Sequence, residues 1–237
     1  MLVIRKILIN LRLIPLWSEN NLSIDNKTTE KFAWYMKKYP TLYENLAKII
    51  KKNLPQLLSK PLIVDLGAGP GLLSAEIRKL MPETNVISLD VSIKMLEMAE
   101  KHAFKDDFRK FGVILSMSEN IPLKSNSVDI VVSRFSLPYW EQPEASFAEI
   151  FRILKPGGRV VLEALNKDFP KWRLFLIKLH MFINLAGRGV IRYHIDAYEN
   201  AYTIEQVWRF LTDAKLSIIG KEGNKKDWKF TIIAEKP

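Results

Sequence analysis

The sequence predicts an α/β fold, a mostly parallel sheet with helices on both faces. Three observations predict it. Short apolar runs alternate with helix-period stretches from residue 62 to residue 165. The run from Val128 to Ser133 is apolar along most of its length, as a strand covered on both faces requires. The first run opens into VDLGAGPGLL, residues 64–73, a glycine-rich turn placed between a strand and a helix.

The elements follow in order. Residues 1–16, MLVIRKILINLRLIPL, carry Ile4, Ile7, Leu8, Leu11 and Ile14 on one helical stripe with Arg5, Lys6 and Arg12. The segment is too short and too charged to span a bilayer, which takes about 20 apolar residues. It suits packing on its own domain or lying on a membrane surface. From residue 27 to about 58 the pattern is helical, with breaks at Pro40 and Pro55. Strands are predicted at Leu62 to Leu66, Val86 to Leu89, Val113 to Leu115, Val128 to Ser133 and Arg159 to Ala164. Helices are predicted at Leu72 to Leu80, along Ile93, Leu96, Ala99 and Ala103, and along Phe147, Ile150, Phe151 and Leu154. Lys155 to Gly158, KPGG, reads as a turn.

After residue 165 the rhythm changes. Phe169 to Ala186 is a long aromatic and basic helical stretch, broken by Gly187 and Gly189. Thr203 and Gln206 form a capping box that opens a helix through about Ala214. Two last strands are predicted near Leu216 to Ile219 and Trp228 to Ala234, which brings the sheet to seven. The organisation is one domain in four parts. They are an N-terminal helical cap (1–58), an α/β core (59–165), a lid insert (166–202) and a closing helix with strands (203–237).

Composition narrows the function. The chain has 237 residues, 48% of them hydrophobic and 26% charged, as a globular protein does. It has no cysteine, so disulfides, thiolate metal sites and cysteine nucleophiles are excluded. His102, His180 and His194 lie far apart, and no short metal motif is present. The net charge of +10 fits an anionic partner or a lysine-rich soluble surface. No dense basic run concentrates that charge, so nucleic acid is the less favoured partner. The compartment expected is the cytoplasm, at a membrane's periphery if the apolar N-terminus is used. No feature of the chain specifies an oligomer.

In an open α/β sheet, ligands bind beyond the carboxyl ends of the strands. Gly67, Ala68, Gly69 and Gly71 bring backbone close to such a ligand, and the next helix offers unpaired amides. Asp90 ends the second strand nineteen residues after Gly71, where an acid accepts ribose hydroxyls. The glycine order is G-x-G-x-G, whereas dinucleotide sites use G-x-G-x-x-G. Asp65 precedes the first glycine and would repel a pyrophosphate. It suits a ligand bearing an ammonium group, as S-adenosylmethionine does. Two structural roles compete: capping of backbone donors by Asp65 and of the following helix by Asp90.

At this point the chain resembles the class I S-adenosylmethionine-dependent methyltransferases, in the small-molecule branch of ubiquinone and menaquinone biosynthesis enzymes. VDLGAGPG resembles the first motif of that family and SLDVS the second. SENIPLKSNSVDIVVSRFSLPYW resembles the stretch through strand four, and EIFRILKPGGRVVLEA the helix, turn and strand five. The resemblance covers roughly residues 30 to 165. It implies a Rossmann-like, seven-stranded, mostly parallel sheet with an antiparallel last strand. It implies S-adenosyl-L-methionine as cofactor, held by Asp65, Gly67, Ala68, Gly69, Gly71, Asp90, Val91, Met95, Met117, Ser118, Glu119, Ser133 and Arg134. One position departs: the acid that reads the adenine amine in the family falls on Met117, leaving Ser118 or Glu119 to take its place.

Methyl transfer is an in-line displacement that needs positioning and exclusion of water more than a catalytic group. The expected substrate pocket gathers Tyr35, Tyr39, Phe135, Tyr139, Trp140 and Tyr198. His194, Tyr35 and Tyr202 are the candidate bases, each with an ordinary packing role as the alternative. Arg134 suits an acidic group on the substrate. The insert carries Trp172, Phe175, Leu176, Leu179, Phe182 and Ile183 on one stripe, flanked by Lys171, Arg173 and Lys178. That stripe fits a lid over a small acceptor, or a mouth for a lipid or prenylated quinone at a membrane. RNA and protein are further alternatives, although the tetrapeptide of base-modifying enzymes is absent. A non-catalytic protein that binds the cofactor is the last.

Overall fold

The computed structural model describes residues 26–55, 60–103, 111–183 and 191–237. The predicted stripe in residues 1–16 lies outside those residues. The chain begins with α1 (Asn26–Met36) and α2 (Pro40–Lys52). Pro40 stands in the first turn of the second helix, where its missing amide costs nothing. Then follow β1 (Leu62–Leu66), α3 (Leu72–Leu80), β2 (Asn85–Asp90), α4 (Ile93–Ala103), β3 (Phe111–Leu115) and β4 (Val128–Arg134). A short 3-10 turn (Leu137–Tyr139) leads to α5 (Pro143–Ile153) and β5 (Leu154–Leu165). The insert holds α6 (Lys171–Ile183) and α7 (Ile191–Glu199), and α8 (Ile204–Asp213), β6 (Ser217–Glu222) and β7 (Lys229–Glu235) complete the chain.

The seven strands form one sheet in the order β3-β2-β1-β4-β5-β7-β6. β1 to β5 run parallel, and β7 is antiparallel to both of its neighbours. The strand order reverses between β1 and β4, so their carboxyl ends diverge and leave a crevice. Each face of the sheet carries its own core. α5 and α8 cover one face through Phe147, Ile150, Val207, Phe210 and Leu211. α1, α2 and α3 cover the other through Tyr35, Leu46, Ile50 and Ile77. Both sides of β1 and β4 are therefore dry, which is why their sequences lack a polar alternation. Each fully buried Leu, Ile or Phe contributes about 1.5–3 kcal/mol.

Two local expectations change. KPGG is the bulged opening of β5, with a register shift between Val128 and Ile130 of β4. Gly157 takes φ +73° there, and its amide donates to the Lys236 carbonyl at 2.7 Å. The stretch RYHIDAYEN, without a predicted element, forms α7. The ends of the insert meet where Asn166 bridges to Tyr202. The Thr203–Gln206 capping box forms with both of its hydrogen bonds, at 3.1 and 2.9 Å.

Candidate active site

The glycine turn leaves β1 with Gly67, Gly69 and Gly71 all at positive φ. Two of these glycines are closed in. A β-carbon on Gly67 would lie 2.3 Å from Cβ of Ser136, and one on Gly71 would lie 2.6 Å from Cβ of Ala99 in α4. Gly69 differs: a β-carbon there would meet nothing within 4 Å. The turn is tied down from below. The Gly67 and Ala68 amides donate to the Leu89 carbonyl at 2.8 and 3.0 Å. Nδ1 of His102 lies 2.6 Å from the Pro70 carbonyl.

Asp90 stands beside the open glycine. Its Oδ2 accepts from the Gly69 amide at 2.8 Å, and its Oδ1 accepts from the Ser92 amide at 2.9 Å. The ribose-acceptor and helix-entry roles thus meet in one side chain, since each carboxylate oxygen has a second lone pair. Burial raises the Asp90 pKa, against the lowering effect of the amides it accepts from.

Asp65 corrects an expectation. The carboxylate assigned to a ligand's ammonium group is 1% exposed. It accepts from the Ser74 hydroxyl at 2.6 Å, and that hydroxyl lies 2.7 Å from Ser88. Asp65 therefore pins α3 to β1 and β2. Burial, more than any neighbour, pushes its carboxyl up to about 7.

The adenine-side residues are also drawn into the scaffold. The Ser118 hydroxyl donates to Oε2 of Glu119 at 3.0 Å and accepts from Ser146 at 2.9 Å. Oε1 of Glu119 accepts from the Gln142 amide at 3.1 Å. Both residues thus hold the start of α5, and each Glu119 carboxylate oxygen keeps a second lone pair. Met117 is half-buried, Val91 is exposed and Met95 is core. Ser133 is fully buried, 2.6 Å from the Ser136 hydroxyl. Trp140, expected in the pocket, is likewise core. Its Nε1 donates to the Ser136 hydroxyl at 3.1 Å, and its ring packs edge-on against Phe147.

Arg134 ends β4 on the rim. Nε donates to Oε1 of Glu163 at 2.8 Å, and Lys229 pairs with the other oxygen. The guanidinium is sandwiched, 4.3 Å from the Tyr43 ring and 4.2 Å from the Phe135 ring. Its Nη2 is buried with no hydrogen-bond partner. An unpaired buried donor on a cation is costly, and such exceptions mark functional places. Phe135 holds φ +56°, a strained value for a side-chain-bearing residue, with its ring 5.5 Å from Trp228.

The candidate bases do not converge. Tyr35 packs on the α1–α3 face, accepting from the exposed Tyr39 at 3.2 Å. Tyr202 packs on the opposite face, edge-on to Phe210. Tyr198 is buried in a third cluster with Phe169 and donates to the Trp228 carbonyl at 3.3 Å. Burial raises all three phenols, so none is a base near neutral pH. Tyr139 is exposed. His194 lies on α7, and its side chain falls outside the described residues. Sequence reasoning missed Glu163, and it placed Ser136 in the loop after strand four without its contacts to Ser133, Trp140 and the Leu66 carbonyl. The acid within RVVLEA was a signal for Glu163, since a buried strand carries a carboxylate only when it is paired.

This geometry can be set beside known proteins. Residues 64–162 match the family model described as a methyltransferase domain. A malonyl-[acyl-carrier protein] O-methyltransferase from Hahella chejuensis is 31% identical over 52% of this chain and 41% of its own length. The ubiquinone/menaquinone biosynthesis C-methyltransferase of Wigglesworthia glossinidia brevipalpis is 26% identical over 68% of this chain and 64% of its own. A Methanococcus maripaludis structure assigned as an S-adenosyl-L-methionine-dependent methyltransferase superposes with TM-score 0.67 and 28% identity, over 92% of this chain and 96% of that one. Residues 64–162 are a class I S-adenosylmethionine-dependent methyltransferase domain.

The chain spans less than two thirds of the length of either of those two curated relatives. The Methanococcus maripaludis relative is named for S-adenosyl-L-methionine as its methyl donor. The residues present fit it in two respects. Gly69 leaves backbone open beside an acid with spare lone pairs, and Arg134 holds an unmatched donor on the same rim. Among the described residues no cluster of three or more metal-ligating side chains occurs, and no helix is long and apolar enough to cross a membrane.

Proposed function

We propose that this chain transfers a methyl group from S-adenosylmethionine to a small organic acceptor. The observation that carries the reading is the open side of Gly69 beside the half-buried Asp90, at the switch point of the sheet. The cofactor supplies a methyl group on a cationic sulfur, whose departure leaves a neutral thioether. Asp90 would accept from the ribose hydroxyls, and the turn from Gly67 to Gly71 would hold the amino-acid moiety. Met117 packs on the adenine. Arg134 directs Nη2 to a carboxylate, on the cofactor or on the acceptor. The aromatic rings of Tyr43 and Phe135 keep water from that guanidinium, which strengthens the pairing. The new bond joins methyl to acceptor, the bond to sulfur breaks, and any proton lost from the acceptor passes to solvent. No side chain of the described set is assigned as a base. The relative named for ubiquinone and menaquinone biosynthesis supports a small-molecule acceptor, and the one named for a malonyl group on an acyl-carrier protein supports a small acidic group; together they leave oxygen or carbon as the methylated atom.

Calorimetry with S-adenosylhomocysteine tests the site. Asp90→Ala is expected to weaken binding at least about tenfold, the loss of charge-assisted hydrogen bonds. Equal affinity in the variant would remove Asp90 from the site. Labelled donor offered to cell metabolite, lipid, RNA and protein fractions then identifies the acceptor class. Label entering only RNA, or protein in a form that thioester cleavage does not release, would overturn the small-molecule reading.

A further inference from the structure

Helix α6 turns its apolar stripe outward. Trp172, Phe175, Leu176, Leu179 and Ile183 recur at i, i+3, i+4, i+7 and i+11, the spacing of one helix face. They are 61%, 64%, 52%, 44% and 68% exposed. Leu174, on the opposite side of the helix, is the residue that packs, against the cluster of Leu165, Phe169 and Tyr198. The helix is therefore anchored by its back and presents its apolar face to solvent. Basic side chains line that face on both sides. Lys171 and Lys178 lie seven residues apart along one flank, and Arg173 and His180 seven apart along the other. The helix contains no acidic residue.

We infer that α6 is a docking surface for an anionic lipid bilayer. A stripe with Trp and Phe at its centre and basic side chains along both edges has the layout of an interfacial helix. Each apolar residue enters the boundary between headgroups and acyl chains. Each lysine and arginine stays at headgroup level, where an anionic surface attracts it. A second copy of this chain is a poorer occupant, because two α6 faces would bring cations together without a carboxylate from either helix. The chain's net charge of +10 favours the same partner. α6 follows β5 by a few residues, so docking sets the rim that holds Arg134 and Glu163 near the bilayer. The inference stands apart from the methyltransferase reading and does not depend on it.

Sedimentation of the full chain with vesicles tests it. Vesicles of phosphatidylcholine mixed with phosphatidylglycerol are expected to pellet the protein at low salt, and vesicles of phosphatidylcholine alone to pellet much less. The double variant Phe175→Glu, Leu176→Glu is expected to lower the partition coefficient by roughly tenfold or more, since two apolar anchors become charges. Lys171→Glu with Lys178→Glu, which leaves the stripe whole, is expected to erase the preference for the anionic vesicles. An unchanged circular dichroism spectrum shows that each variant folds. S-adenosylhomocysteine calorimetry on the same samples reports the cofactor site separately. Three results would overturn the inference: no pelleting of the wild-type chain with anionic vesicles, equal pelleting of the Phe175/Leu176 variant, or a lipid-free dimer that this variant dissolves.

Discussion

In α8, Ile204, Val207, Phe210 and Leu211 recur at helical spacing, and all four are buried against the sheet and α5. In α6, an apolar stripe of equal regularity stands 44–68% exposed. The difference teaches what periodicity measures. It records that one face of a helix prefers to leave water. It does not record which surface receives that face. For α8 the receiver is 5.8 Å away, where Phe147 stacks on Phe210. For α6, Leu174 packs into the cluster of Leu165, Phe169 and Tyr198, while the residues of the stripe stay exposed.

Stability measurements on the two helices test this contrast, and the largest effect belongs to α8. Phe210→Ala should destabilise the protein by about 3–5 kcal/mol in urea unfolding, because the cavity opens inside a packed aromatic group. A cost near zero would break the comparison.

Charges show the same contrast. Asp65 is covered as the α8 face is, whereas Asp90 is only half-buried. The Asp65 carboxyl sits at about 7 in the folded chain against 3.8 ordinarily, and burial is the chief cause. Between those values the folded protein holds a proton that the unfolded chain releases, so stability falls as pH rises through that window and levels off above it. Unfolding free energies at several pH values should show that fall, and Asp65→Asn should flatten it. The same slope in the variant would assign the fall to another group.

A smaller effect is expected at the α8 cap. Thr203→Ala removes one side of the capping box and should cost about 1 kcal/mol. The smallest belongs to α6: Phe175→Ser should change stability by no more than about 0.5 kcal/mol, because that ring has no cover to lose. A loss as large as that of Phe210→Ala would show that the α6 face is covered in solution.

Much of the fold was legible in the sequence, for local reasons. Leu72 to Leu80 and the Thr203–Gln206 box were readable because caps and periodicity act over a few residues. α7 was missed because RYHIDAYEN has few apolar residues to mark a face. KPGG was misread because a bulge and a turn share glycine. The site was less legible. The turn and Asp90 stood out, whereas the bonds that Ser118, Glu119, Ser133 and Trp140 make within the protein did not. Ser118 and Trp140 find partners in α5, Ser146 lying 28 residues from Ser118 in the chain.

By itself the sequence determined the alternation of strand and helix, the three positive-φ glycines and the carboxylate one strand away. These follow from steric limits and hydrogen-bond needs that each residue carries with it. Only the tertiary structure decided that Asp65 faces Ser74, that Arg134 meets Glu163 with one donor to spare, and that the α6 stripe points away from the core. Those outcomes depend on which surfaces the finished sheet brings within reach, and a chain's local pattern holds no record of them.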